Sequence, residues 1–300
     1  MADPAVRKGA ALQSMGLAKE ESQFRLYARR FIRNRTAMIG VAILTTFILL
    51  AVFAPVVARE NWDFLDLMAT KKPPSGEHWF GTDIFGRDVF SRIVWGARIS
   101  LAIGFVAAAV SVIIGAIWGA VAGYYAGSWL DVTMMRIAEA IDSIPVLILL
   151  VVVSSLITRS IWTVMLIIGI TSWPGLAFLV RGQFLSLRER DFVQAAKALG
   201  APDPRIIFRH VLPNVLAVIV VSATLRIGNA IIFESSLNFL GYGAPPPYPT
   251  WGEMLATGRD ALREAPWIAT VPGIFITLTV LAFNFVGDGL RDAIDPKMKR

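Results

Sequence analysis

DFVQAAKALGAPDPRIIFRHVLP, residues Asp191 to Pro213, is a polar island in an otherwise apolar second half of the chain. Ile161 to Val180 precedes it and Val215 to Phe233 follows it, each about the 20 residues a helix needs to cross a bilayer. The island is therefore expected to be a loop in water, held between two membrane spans. The whole chain agrees with that class. Of 300 residues 55% are hydrophobic and 17% charged, and the mean hydropathy of +0.60 is far above that of a soluble domain. The absence of cysteine excludes disulfides, thiolate metal sites and a cysteine nucleophile. Two histidines, His78 and His210, have no partner at metal-ligand spacing. The formal charge of +7 does not point to nucleic acid, because basic residues beside membrane spans set orientation.

The rest of the chain extends the pattern on both sides of the island. Residues 1 to 23 lack an apolar period and read as a mobile tail. From Phe24 to Arg35 the residues Phe24, Tyr27, Ala28 and Phe31 share one helical face opposite arginines. That suits a helix lying on an anionic membrane surface, or a basic flank of the next span. The boundaries expected from hydropathy are a tail at 1–37, a first anchor at 38–57, an extracytoplasmic segment at 58–98, a membrane core at 99–287 containing the loop 181–213, and a tail at 288–300. In the extramembrane segment Asp88 is placed to cap a helix, and Asp83, Arg87 and Arg92 suit either turn roles or a contact with a partner.

The second span, Ile99 to Tyr125, carries Ala107, Ser111, Gly115, Gly119 and Gly123 at intervals of four, with Gly127 next in the series. Small residues at that spacing predict close helix packing, within the chain or against a partner. The third span opens with charges, of which Arg136 and Glu139 can neutralise each other, and continues past Pro145; Glu139 and Asp142 are expected to be structural. Pro174 is expected to bend the fourth. The last, Trp267 to Val286, follows a Pro-rich loop at 241–255. With both termini on one side, that side holds nineteen Lys and Arg against nine on the other, and the positive-inside rule makes it cytoplasmic. The expectation is an all-α integral membrane protein of six transmembrane helices with the island in the cytoplasm.

Within the island, Asp191 reads as an N-cap and Gly200 as a C-terminal stop, enclosing about two helical turns. Phe192, Ala195, Ala196 and Leu199 fall on one face, Gln194 and Lys197 elsewhere. Asp203 with Pro204 can start a second helix. On physical grounds alone this is either an interfacial hairpin without a partner or a docking element.

The sequence from Gln194 through Ala195, Ala196 and Gly200 to Leu212 and Pro213 resembles the signature loop of ABC importer permeases, Glu-Ala-Ala, three residues, Gly, nine residues, Ile-x-Leu-Pro. Here Gln194 replaces the Glu and His210 the Ile. Stretches such as His78 to Asp88, Gly96 to Leu101, Glu234 to Gly241 and Phe283 to Pro296 are similar to the C-type permease of the oligopeptide and dipeptide (and nickel) uptake family. The resemblance implies a type I ABC importer permease fold in a prokaryotic plasma (inner) membrane. It also implies a second related permease subunit, two cytoplasmic ATPase subunits and an extracytoplasmic substrate-binding protein. ATP and Mg would then bind the partner ATPases, since no Gly-x4-Gly-Lys-Ser/Thr loop occurs in this chain, and the chain itself would be non-catalytic with no cofactor or metal.

That resemblance gives Asp191, Phe192, Gln194, Ala195, Ala196, Leu199, Gly200, Leu212 and Pro213 the role of coupling to an ATPase. For a translocation path, polar groups in mid-span are the candidates: Arg226 and Asn229, a turn apart on the fifth span, with Glu234 at its outer end. Alternatively Arg226 pairs with an acidic residue of a neighbouring helix. The cargo would be oligopeptides or dipeptides, or nickel or another small solute. An ion-coupled secondary transporter is the rival class, for which the polar signature loop has no purpose.

Overall fold

The computed structural model describes residues 23–294. The tail reading of residues 1–22, and the part of the basic C-terminal tail beyond 294, lie outside the described residues. Among the described residues every regular element is a helix.

The first, α1 (Gln23–Arg33), is followed without a loop by α2 (Arg35–Val52). Asn34 separates them: its side chain accepts from the Ala37 amide at 3.2 Å and so satisfies one of the free N–H groups of a new helix start. Pro55 then shapes the short α3 (Ala54–Val57), so the first span stops at Val52 rather than running to Val57. The surface reading of α1 changes. Tyr27, Ala28 and Phe31 are half-buried, and α1 packs on the last helix, α13 (Trp267–Ile294), where a Cβ at Gly289 would stand 3.2 Å from the Phe31 ring.

The second span begins earlier than hydropathy suggests. Asp88 caps it, accepting from the Ser91 amide at 2.7 Å, and α4 runs unbroken over Val89–Tyr124. Before it, positive φ at Gly81 and Gly86 folds the segment back on itself; a Cβ at Gly86 would run into the Asp66 carbonyl. Asp83 accepts from the amides of Phe85 and Arg87 and from Arg87 Nε at 2.6 Å, and Arg92, almost wholly buried, pairs with Glu253 at 2.6 Å. The turn and capping roles expected of Asp83, Arg87 and Asp88 are those the structure shows.

Next come α5 (Trp129–Asp142) and α6 (Val146–Leu156), bent by 87° around Pro145, and α7 (Ile161–Thr171) and α8 (Pro174–Arg188), bent by 41°. Pro174 has no amide hydrogen to continue the α7 ladder, which is why the fourth span breaks there. The island supplies α9 (Asp191–Ala198), α10 (Asp203–Arg205) and a π-helical turn at Ile206–Val211 leading into α11 (Leu212–Phe239). A shorter α12 (Trp251–Gly258) lies between α11 and α13. Among the described residues four helices are long and apolar enough to cross a membrane, and the two bent pairs bring the number to six if each is one span.

One cluster holds the first, second, fifth and last spans and α12 together: Leu44, Phe47, Val89, Ile93, Ile231, Trp251 and Phe283. Trp251 is fully buried, with its indole N–H donated to the Ile93 carbonyl at 3.0 Å. The small-residue ridge of α4 meets α8 of the same chain. A Cβ at Gly115 would stand 2.9 Å from the Trp173 carbonyl, and those at Gly119 and Gly123 would meet the backbones of Ala177 and Arg181. Ser111 belongs to the same buried face. Gly127 does not: it lies beyond the helix, exposed and at φ +88°, with nothing near its Cβ position. Interval alone assigned it to the ridge, but the helix ends at Tyr124.

Candidate functional site

Two regions bring the candidate residues together: the hairpin made by the island, and a cavity midway along the bundle.

In the hairpin, Asp191 is the first residue of α9 and not its cap; Arg190 holds the cap position without a side-chain bond. The Asp191 carboxylate still lies in the first turn, where the helix dipole favours a negative charge. At the other end Gly200 adopts φ +76°. Its amide donates to the Lys197 carbonyl at 2.9 Å, and the Ala201 amide reaches back to Ala196 at 3.1 Å. This paired arrangement closes the helix end and favours glycine. The four-residue face expected from periodicity divides. Val193 and Ala196 (8% exposed) point inward onto Phe184, Ile206, Ile207 and Val211. Phe192 (43%), Ala195 and Leu199 (87%) point outward, with nothing among the described residues covering them. The spacing missed Val193, whose burial turns the inward face by one position.

Side chains fasten this hairpin to the end of α4. Asp203 does not cap α10; it accepts hydrogen bonds from the Tyr124 hydroxyl at 2.6 Å and the Tyr125 hydroxyl at 3.0 Å. The hydrogen bond that the Tyr125 hydroxyl donates to this carboxylate holds it above its ordinary range, since ionisation would break the bond and leave a phenolate facing a second anion. Lys197 sits over the Tyr124 ring. Gln194 Nε2 donates to the Arg188 carbonyl at 2.9 Å, a bond an ionised Glu cannot make because a carboxylate only accepts. Leu212 is half-buried against the same cluster, and Pro213 stands in the first turn of α11, exposed. A bidentate pair, Arg181 Nε and Nη2 to the two oxygens of Asp131 at 2.7 Å each, ties α8 to α5 close by. Neither tie was legible in advance, because the partners are 50 and 79 positions apart.

The cavity, about 330 Å³, lies where the two bent pairs break. Asp142 and Pro145, Thr171 and Ser172, Ser111 of α4, and Arg226 and Asn229 of α11 line it. Arg226 stands near the middle of α11 and donates through Nη1 to Ser111 Oγ at 3.2 Å and to the Ser172 carbonyl. A cation at such a depth costs about 2.5–3.5 kcal/mol on insertion scales unless compensated. The expected alternative, pairing with an acid of a neighbouring helix, has no counterpart among the described residues. Glu234 is separated from this group. It is fully buried against α12, hydrogen-bonded by Asn238 and, at 3.4 Å, by Ser235; a Cβ at Gly252 would stand 2.9 Å from its Oε2. It anchors α12 and does not line the cavity. Arg136 and Glu139 form the expected surface pair at 2.9 Å.

Residues 111–300 match the family described as binding-protein-dependent transport system inner membrane component, and residues 22–74 match the N-terminal TM domain of oligopeptide transport permease C. The chain belongs to the first of these families. As a member of the binding-protein-dependent inner membrane components, it is a permease subunit of an ABC importer and a multi-pass inner-membrane protein. It is 45% identical over 93% of its length to the dipeptide transport system permease protein DppC of Alkalihalophilus pseudofirmus, covering 91% of that protein. It is 42% identical over 90% of its length to the oligopeptide transport system permease protein OppC of Bacillus subtilis, covering 88% of it. The counterpart from Haemophilus influenzae is 41% identical, with 90% and 87% covered. Among solved structures, a chain of the MetNI methionine ABC transporter in inward-facing conformations superposes with a TM-score of 0.56 at 21% identity, over 68% of this chain and 97% of that one. That likeness is one of fold.

Proposed function

We propose that this permease carries oligopeptides or dipeptides, forming half of a translocation path with a second related permease, and that α9 couples the path to a cytoplasmic ATPase. The peptide cargo is supported by the relatives, which are dipeptide and oligopeptide permeases by name. The orientation, both termini and the hairpin in the cytoplasm, is supported by the excess of Lys and Arg on that side. Two ATPase subunits would bind ATP and Mg, for which this chain has no phosphate loop, and an extracytoplasmic binding protein would deliver cargo at the opposite end.

The observation that carries the coupling role is the outward face of Phe192, Ala195 and Leu199 on a helix closed at its C-terminal end and fastened at its base. Large apolar side chains presented on a rigid, otherwise polar loop mark a binding surface. Force applied there passes through Val193 and Ala196 into Val211 and α11, and through Asp203 into α4. Because Ala196 is buried, an Ala196→Asp change would damage the hairpin itself; the informative variants are Ala195→Asp and Leu199→Asp. ATP-driven peptide uptake in proteoliposomes should fall at least about tenfold, as expected for losing a central apolar contact, with the permease still inserted and paired. Wild-type uptake by both variants would end the coupling role.

A further inference from the structure

Arg226 has one more donor edge than its structural task uses. Nη1 holds the Ser172 carbonyl, at the end of α7 where the helix dipole is negative, and Ser111 Oγ. Nη2 makes no hydrogen bond among the described residues. It lies on the side of Gly175, where an added Cβ would be at ordinary contact distance, 3.5 Å. The Ser172 hydroxyl, at the same cavity, is buried without a partner among the described residues. Asn229, one turn further along α11, is exposed at the same cavity. Asp142 lines the cavity too, but forms no ion pair with Arg226 and is exposed.

We propose that this cavity is a carboxylate site, in which Arg226 takes the free C-terminal carboxylate of a peptide in transit. The inference rests on the peptide-permease reading and adds a chemical requirement to it. An oriented guanidinium with an open edge matches the planar geometry of a carboxylate. No acidic side chain among the described residues pairs with it, so a bound carboxylate would supply the counter-charge that a cation at this depth calls for. A volume of about 330 Å³ is at the small end of ligand pockets and suits one terminal residue, not a whole oligopeptide. A helix-capping task needs only the Nη1 contact and leaves Nη2, and the buried Nε beside it, without partners among the described residues.

The cysteine-free chain offers a direct test. Asn229→Cys places a single thiol in this chain at the cavity, in a complex with cysteine-free partner subunits in phosphatidylcholine nanodiscs and without binding protein. Its modification rates by anionic ethylsulfonate and cationic trimethylammonium-ethyl methanethiosulfonates are divided by those for a free thiol in solution. The anionic reagent should be favoured about fivefold or more, the effect of a nearby unpaired cation. The preference should vanish in Asn229→Cys/Arg226→Gln and persist in Asn229→Cys/Arg226→Lys. A tripeptide at millimolar concentration should slow modification, while its C-terminal amide and inorganic phosphate should not. An unreactive thiol, no anion preference, or equal protection by the amide or by phosphate would overturn the site. Peptide uptake by the unmodified complex, measured in parallel, tests the permease reading on its own.

Discussion

Single residues decide how closely this bundle packs. At Gly119 and Gly123 the backbones of α4 and α8 are too near for any side chain. Gly119→Val should therefore cost about 1–3 kcal/mol or more, the usual penalty for overpacking, read as a lower melting temperature of the purified complex. Gly200 has a different reason: at φ +76° an alanine pays about 1–2 kcal/mol of left-handed strain. Gly200→Ala should speed amide hydrogen exchange across α9 without altering exchange in α11. Both glycine roles were legible from sequence, since spacing by four and a stop after an apolar face are local signals. Gly127 shows the limit of that logic, because a repeat interval does not say where the helix ends. Asp203 shows another: it was read as a cap, but two tyrosines 78 and 79 positions away compete for its carboxylate.

Elements are held in register by polar ties that no periodicity reports. The Asp131–Arg181 pair joins α5 to α8, and the Tyr124–Asp203 bond joins α4 to the hairpin. Tyr124→Phe removes a hydrogen bond to a charged acceptor, worth about 1.5–3 kcal/mol. It should lower the number of peptides carried per ATP hydrolysed more than it lowers complex yield. For the ion pair, a double-mutant cycle with Asp131→Asn and Arg181→Met should give a coupling energy on the order of 1–3 kcal/mol, measured by denaturant unfolding in detergent. Spans themselves were largely readable: Pro174 announced the 41° break and Asp88 the start of α4. The 87° turn after Asp142 was not, because Pro145 is tolerated at a helix start and its effect depends on what the next helix packs against.

For the whole molecule, the six-span arrangement places the hairpin at one end of the bundle and the Arg226 cavity near its middle, with α11 running from one to the other. A displacement of α9 thus has a continuous helix along which to travel. Glu234 lies beyond the cavity on that same helix, but it belongs to the packing of α12. Sequence placed it with Arg226 because both are polar residues in an apolar run; only the fold separates them. On the proposed coupling role, the outward face of α9 is where an ATPase subunit grips this protein. A cysteine at Ala195, introduced into the cysteine-free chain, tests it most directly. In the assembled importer it should form a crosslink to the cytoplasmic ATPase subunit in high yield, and the yield should change when ATP is bound. Efficient labelling of that cysteine by a bulky soluble reagent in the intact complex, with no crosslink in any nucleotide state, would rule out docking through this face.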